Sequence, residues 1–258
     1  MLTERSGRVV AAAKLHRHSA RRKAGRFLAE GPNLVAAALR RGVADEVFVT
    51  EEAAARFAPL LADVPVTPVT AKAATALSDT VTPVGLVAVC RAPAVTLPDV
   101  LAGSPRLFAV AVGIAEPGNA GTLIRIADAM GADGVVFAGD SVDPYNGKCL
   151  RASAGSIFGV PVVEVPDADA ALAALVAAGL QTCATTVDGD TALDDADDLL
   201  RAPTAWVFGP EAHGLPPAIA AAATHRIRIP MAGAAESLNV AAAAAICLYQ
   251  SARAHRRR

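Results

Sequence analysis

A chain of 258 residues, 53% apolar but only 4% aromatic, is long enough for two compact domains, and its wealth of Ala and Val suits helices packed on a buried parallel sheet. The four cysteines, Cys90, Cys149, Cys183 and Cys247, stand far apart with no Cys-x-x-Cys pair, which supports neither a disulfide framework nor a zinc site and fits a reducing cytoplasm. A net charge of −1 conceals basic ends: residues 1–26 hold eight Lys/Arg against one acid, while residues 27–252 hold 12 basic against 24 acidic residues and the tail from Arg253 adds four arginines.

In chain order, Met1–Arg5 leads into no apolar leader, and the Ala-rich runs Ala171–Leu180 and Val240–Leu248 are too short for a membrane span, so neither export nor membrane attachment is expected. The basic N-terminal stretch suits attraction to phosphate backbones, although solvated termini that aid solubility would look the same. Short strands are predicted at Phe27–Glu30, Glu46–Thr50, Val64–Pro68 and Gly85–Arg91, with helices at Pro32–Arg41, Glu51–Leu61 and Ala71–Leu77. Residues 1–92 thus form a small α/β domain, residues 93–105, rich in Pro and small residues, a linker, and residues 106–258 a second domain. There, strands predicted at Leu107–Val112, Gly134–Ala138, Val160–Val165, Gln181–Val187, Thr204–Phe208 and His225–Pro230 alternate with helical patterns, the signature of βαβ units around a parallel sheet.

Three segments of the second domain share a layout of apolar strand, small-residue loop and helix start: 112–122, 208–216 and 230–240. In a parallel sheet all such loops emerge at the carboxyl edge, where ligand crevices lie, so the three should face one site. In the first, Asn119 is the expected N-cap, and Leu123, Ile126, Ala127 and Met130 repeat at helical spacing to bury one face. Arg125 stands off that stripe, about 200° from Leu123 at roughly 100° per residue, free to reach the sheet edge or solvent. In the second, Glu211 sits between Gly209 and Gly214; in the third, Ser237 and Asn239 open the Ala-rich final helix, with Ser237 readable as a cap.

The patterns Asn119-x-Gly121-x-x-x-Arg125, Gly209-x-Glu211-x-x-Gly214 and Ser237-Leu238-Asn239-Val240 resemble, in order and spacing, the three motifs of the SpoU/TrmH family of RNA ribose 2′-O-methyltransferases. Lys148-x-x-Arg151-Ala152-Ser153-Ala154-Gly155 is similar to another segment of that family, and Arg26–Gly31 resembles its N-terminal substrate-binding domain, so the resemblance spans the chain. It implies S-adenosylmethionine as cofactor, structured RNA, ribosomal or transfer, as partner, a homodimer, and a trefoil knot in the C-terminal α/β domain. Carried over by motif, Gly209, Ile229, Met231 and Leu238 would line the cofactor pocket, largely through backbone, with Asn119, Arg125, Glu211, Ser237 and Asn239 around the reacting ribose. It also makes Arg17, Arg21, Arg22 and Arg26 RNA contacts that position without reading sequence. The chemistry is a displacement at a sulfonium methyl, for which a positioned hydroxyl and partial loss of its proton suffice. A guanidinium stays protonated in proteins, so Arg125 is better read as clamping the neighbouring RNA phosphate than as a free base.

Phe27 and Phe48 lie in predicted strands and are expected in the core. The acidic run from Asp188 to Asp198 lacks calcium-loop spacing and reads as a solvated loop, no metal site is expected, and His213 has no Gly-x-Ser-x-Gly partner for a hydrolytic triad. A dinucleotide-dependent oxidoreductase would want Gly-x-Gly-x-x-Gly, whereas Gly113, Gly118 and Gly121 fall at intervals of five and three. A non-catalytic RNA-binding module would use the basic arm equally well and would bind no cofactor.

Overall fold

The computed structural model describes residues 1–210 and 212–256. These divide into two compact units, one of 1–94 with 145–158, the other of 95–144 with the described residues of 159–256.

The first unit opens with helices α1 (Gly7–Ala13) and α2 (His18–Ala24), joined by a 3-10 turn. Behind them run β1 (Arg26–Glu30), α3 (Pro32–Arg40), β2 (Ala44–Val49), α4 (Glu51–Arg56), α5 (Ala58–Leu61), β3 (Val66–Pro68), α6 (Ala71–Leu77) and β4 (Leu86–Arg91). The sheet order is β1-β4-β2-β3, with β4 antiparallel to both neighbours and β3 parallel to β2. Phe27 and Phe48 are buried, as their strands require. The helix predicted over Glu51–Leu61 breaks at Phe57, because Pro59 cannot continue the hydrogen-bonding ladder of the preceding turn. The chain returns to this unit at Tyr145–Phe158, including α9 (Gly147–Ser153). Phe27 explains the return: its ring lies 4.7 Å from that of Tyr145 and 5.9 Å from that of Phe158, and Arg151 pairs with Asp79.

The second unit starts with α7 (Leu97–Leu101), within the stretch expected to be a linker. A capping box between Thr96 and Asp99 nucleates it, and Leu97 is buried in the unit's core. Then follow β5 (Leu107–Val112), α8 (Pro117–Ala129), β6 (Gly134–Ala138), β7 (Val162–Val165), α10 (Ala168–Ala177), β8 (Gln181–Thr185), β9 (Thr191–Ala192), β10 (Thr204–Phe208), α11 (Pro217–Ala222), β11 (His225–Arg228) and α12 (Val240–Arg256). All seven strands are parallel, in the order β7-β6-β5-β10-β8-β11-β9. The path runs outward from β5 through β6 to β7, then crosses to the other side, so the order reverses between β5 and β10. In open α/β sheets such a switch point opens a crevice at the carboxyl edge.

Helix α8 is capped by Glu116, whose Oε2 accepts from the Asn119 amide N–H at 2.9 Å; Asn119, expected as the cap, lies inside the first turn. Its buried stripe is Ala120, Leu123, Ile124 and Ala127, with Ile126 and Met130 only half-buried, a turn of the face from the one expected. The acidic run is not a plain solvated loop: Leu193, Ala196 and Leu200 are buried beneath it, β9 joins the sheet edge, and Asp197 pairs with Arg253. Beneath α12 the buried Trp206 indole N–H donates to Ser251 Oγ at 2.8 Å. Ser251→Ala strands that donor, and we expect a loss of about 1–3 kcal/mol of stability in urea unfolding.

All four cysteines are buried, and none forms a disulfide. Burial pushes the Cys90 and Cys183 thiols up to about 12, and that of Cys247 higher still. Since the thiolate is the reactive form, a disulfide reagent at pH 8 should leave the native protein unlabelled and titrate four thiols after unfolding. No helix among the described residues is long and apolar enough to cross a membrane, and no cluster of His, Cys, Asp or Glu among them could hold a metal ion.

Candidate active site

The carboxyl ends of β8, β10 and β11 enclose a cavity of about 610 Å³. Its walls come from Thr185–Asp188 at the end of β8, from Phe208–Pro210 and Ala212–Leu215 at the end of β10, and from the stretch between β11 and α12. Gly209, Ile229, Met231, Leu238 and Ser237, all singled out in the sequence, line it together. Phe208, Leu215, Ile227 and Val240 give apolar lining; Asp188, Arg226 and Glu236 add charge.

Gly209 is needed there for space. A Cβ at this position would sit 2.5 Å from the Leu215 nitrogen and 2.6 Å from the Gly214 carbonyl carbon, so the loop closes backbone to backbone. The Gly214 N–H returns to the Pro210 carbonyl at 2.9 Å and completes the turn. Glu211, expected beside the reacting ribose, lies outside the described residues. His213 lines the cavity and is exposed.

The first and third motifs meet directly. Asn239 caps α12, its Oδ1 accepting from the Ala241 and Ala242 N–H groups at 3.0 and 3.3 Å. That bond assigns the amide, and its Nδ2 donates to Asn119 Oδ1 at 3.1 Å. The cap is therefore Asn239, not Ser237, and Asn239 joins the helix after β5 to the helix after β11. Arg125 is not part of this cluster within one chain. It stands six residues beyond Asn119, about 9 Å along α8 at 1.5 Å per residue, and on the exposed face opposite the buried stripe. It makes no hydrogen bond or ion pair with another described residue.

In the first unit Arg17 and Arg22 are exposed, and Arg26 pairs with Asp45 at 3.0 Å. Arg21 does a different job from the one expected: it is buried, and its guanidinium donates to the carbonyls of Leu15 and His16 at 2.9 and 2.8 Å, closing the turn between α1 and α2. A buried, bonded guanidinium of this kind is structural.

Sequence reasoning missed Asp188 and Arg226. Arg226 donates to Asp188 Oδ2 at 2.6 Å, which holds the Asp188 carboxyl below its ordinary range. The signal available was the alternation Arg226-Ile227-Arg228, which in a strand sends both arginines to one face.

Residues 106–249 match the SpoU rRNA Methylase family, and residues 7–88 match the MRM3-like substrate binding domain. A 23S rRNA (guanosine(2553)-2′-O)-methyltransferase of Bacillus subtilis is 33% identical over 237 residues, spanning 92% of each chain. The fold is similar to that of the SpoU methyltransferase AviRb of Streptomyces viridochromogenes in complex with AdoMet, at 31% identity and a TM-score of 0.84 over 96% of this chain and 98% of that one. It is likewise similar to an AdoMet-bound rRNA methyltransferase of Sinorhizobium meliloti, at 28% identity and a TM-score of 0.79 over 96% and 95%.

Proposed function

Because the chain belongs to the SpoU rRNA methylase family, we propose that it transfers the methyl group of S-adenosylmethionine to a ribose 2′-hydroxyl of ribosomal RNA. The observation that carries this reading is the cavity at the carboxyl edge, bounded by the second and third motifs, with the third bonded to the first through Asn239 and Asn119. A cavity of this size suits a nucleoside-sized ligand, and the Gly209 backbone cradle together with the buried Arg226 Nε, unpartnered among the described residues, fits a polar one. When bound, the cofactor supplies an electrophilic methyl on a sulfonium.

The residues around it then have separate tasks. Gly209, Ile229, Met231 and Leu238 hold the cofactor between backbone and apolar side chains. Asn239, fixed by its cap, orients Asn119, and with Ser237 and Glu211 it offers hydrogen bonds to the incoming ribose. Arg125 clamps the phosphate beside the target nucleotide and orients its 2′-hydroxyl. Arg17, Arg22 and Arg26 take further phosphates, a sequence-independent and salt-dependent contribution.

The separation of Arg125 from the Asn119–Asn239 pair supports a homodimer in which Arg125 completes the site of the second copy. Helix α12 carries Ala242, Ile246 and Tyr249 on one exposed face, the spacing of an unburied apolar stripe. The path supports a trefoil knot: leaving β11, the chain shares the cavity lining with Thr185–Asp188, with Gly209 and Pro210 and with Ala212–Leu215 before α12 returns to pack on α8, β10 and β5. Four cysteines outside any disulfide are in keeping with action in the cytoplasm.

The test is incubation with methyl-labelled S-adenosylmethionine and, separately, unmodified ribosomal and transfer RNA, mapping label by resistance of the 2′-O-methylated linkage to alkali. Label on ribosomal RNA supports the reading, label on transfer RNA alone moves the substrate, and no cofactor binding leaves the RNA-binding module in its place.

A further inference from the structure

The loop after β8 is tied to β11 more firmly than a surface connection requires. The Thr186 N–H donates to the Ile227 carbonyl at 3.0 Å. Arg226 donates to both the main-chain oxygen and the Oδ2 of Asp188, at 3.0 and 2.6 Å, and Arg228 to the Gly189 carbonyl at 2.7 Å. Gly189 lies flat on the strand, since a Cβ there would come within 2.5 Å of the Arg228 nitrogen. So held, Thr185–Asp188 line the cavity together with Ile229, Met231 and Leu238.

Two polar groups, one on this loop and one on β11, have capacity left. The Asp188 side chain is 73% exposed, and a carboxylate can accept about four hydrogen bonds. The Arg226 Nε is buried and donates to nothing among the described residues. An acceptor beside an unused donor matches a hydroxyl, which both gives and takes a hydrogen bond; the cofactor's amino-acid end, with an ammonium and a carboxylate together, is the alternative that the ligand series below separates. Phe208, Leu215 and Ile227 supply apolar lining suited to adenine, and Asp188 with Arg226 supplies polar lining suited to its sugar.

We propose that Asp188 and Arg226 form the subsite for the ribose diol of the cofactor, an assignment that rests on the methyltransferase reading above. Calorimetry on the full chain tests it without RNA or turnover, using S-adenosylhomocysteine, 5′-methylthioadenosine, which lacks the amino-acid end, and the 2′,3′-dideoxy analogue of S-adenosylhomocysteine. Asp188→Asn and Arg226→Lys should each weaken the first two ligands about tenfold and leave the already weak dideoxy analogue unchanged. A loss confined to S-adenosylhomocysteine would move the pair to the amino-acid end and overturn the proposal. So would equal losses for all three ligands, the mark of a merely structural role, or no loss at all. A wild-type protein that binds none of them would instead sink the methyltransferase reading itself.

Discussion

Arg125→Ala is expected to lower methyl transfer to ribosomal RNA by about 100-fold or more while leaving S-adenosylhomocysteine affinity within about twofold. The side chain is exposed on α8, whose stability comes from Ala120, Leu123, Ile124 and Ala127 on the other side, so unfolding should shift by no more than about 0.5 kcal/mol. It does not line the cavity, which is why cofactor binding should survive. Arg125→Lys separates two roles. A lysine keeps the charge but not the planar fork that meets a phosphate in two places, so a clamp predicts partial recovery, dominated by tighter RNA binding at low salt. In a dimer with shared sites, mixing Arg125→Ala with an Asn239→Ala chain should restore some activity, since one of the two composite sites would be intact. Alanine activity above about a tenth of wild type would remove Arg125 from the site.

What the sequence makes legible follows from where the information is local. Strands β5, β6 and β10 match their expected bounds because a strand covered on both faces reads as an unbroken apolar run, and every residue of Leu107–Val112 is buried. The periphery reads less well: β11 ends two residues short of its expected range and β7 starts two residues late, since outer strands have fewer partners than the apolar pattern suggests. Helices α1 and α2 were hidden by charge, although Val9 and Ala12 recur at helical spacing on the face that is buried. Helix α8 misled at its start, because Glu116 is an uncommon cap and Pro117, tolerated in the first turn, was the better marker. The cavity residues were legible through their shared layout of strand, loop and helix. The Asp188–Arg226 pair was not: its partners lie 38 residues apart, and only the crossing of the β8 loop over β11 brings them together. The same holds for Tyr145 and Phe158, which join the first unit through Phe27 across more than a hundred residues of chain.

Gly209→Ala should nearly abolish cofactor binding, raising the dissociation constant of S-adenosylhomocysteine about 30-fold, equivalent to roughly 2 kcal/mol. The three atoms a Cβ would meet, at 2.5, 2.6 and 2.7 Å, all belong to the backbone of Gly214 and Leu215, so no side chain can swing aside. The turn from Gly209 to Leu215 must widen, straining the Gly214-to-Pro210 hydrogen bond and lifting Leu215 from the core cluster it shares with Val207 and Ile219. Overpacking of this kind costs about 1–3 kcal/mol of stability, so the variant should still fold and its binding can be measured. Gly233→Ala is the matched control: it lies between β11 and α12 in the next motif loop, yet a Cβ there meets nothing within 4 Å, and its affinity and melting temperature should equal those of the wild type. The contrast between the two glycines carries the argument, because both substitutions add one methyl group near the same carboxyl edge. If Gly209→Ala binds S-adenosylhomocysteine as tightly as Gly233→Ala does, the turn after β10 is not the cofactor's wall, and the ligand must sit against the β8 loop and the third motif alone.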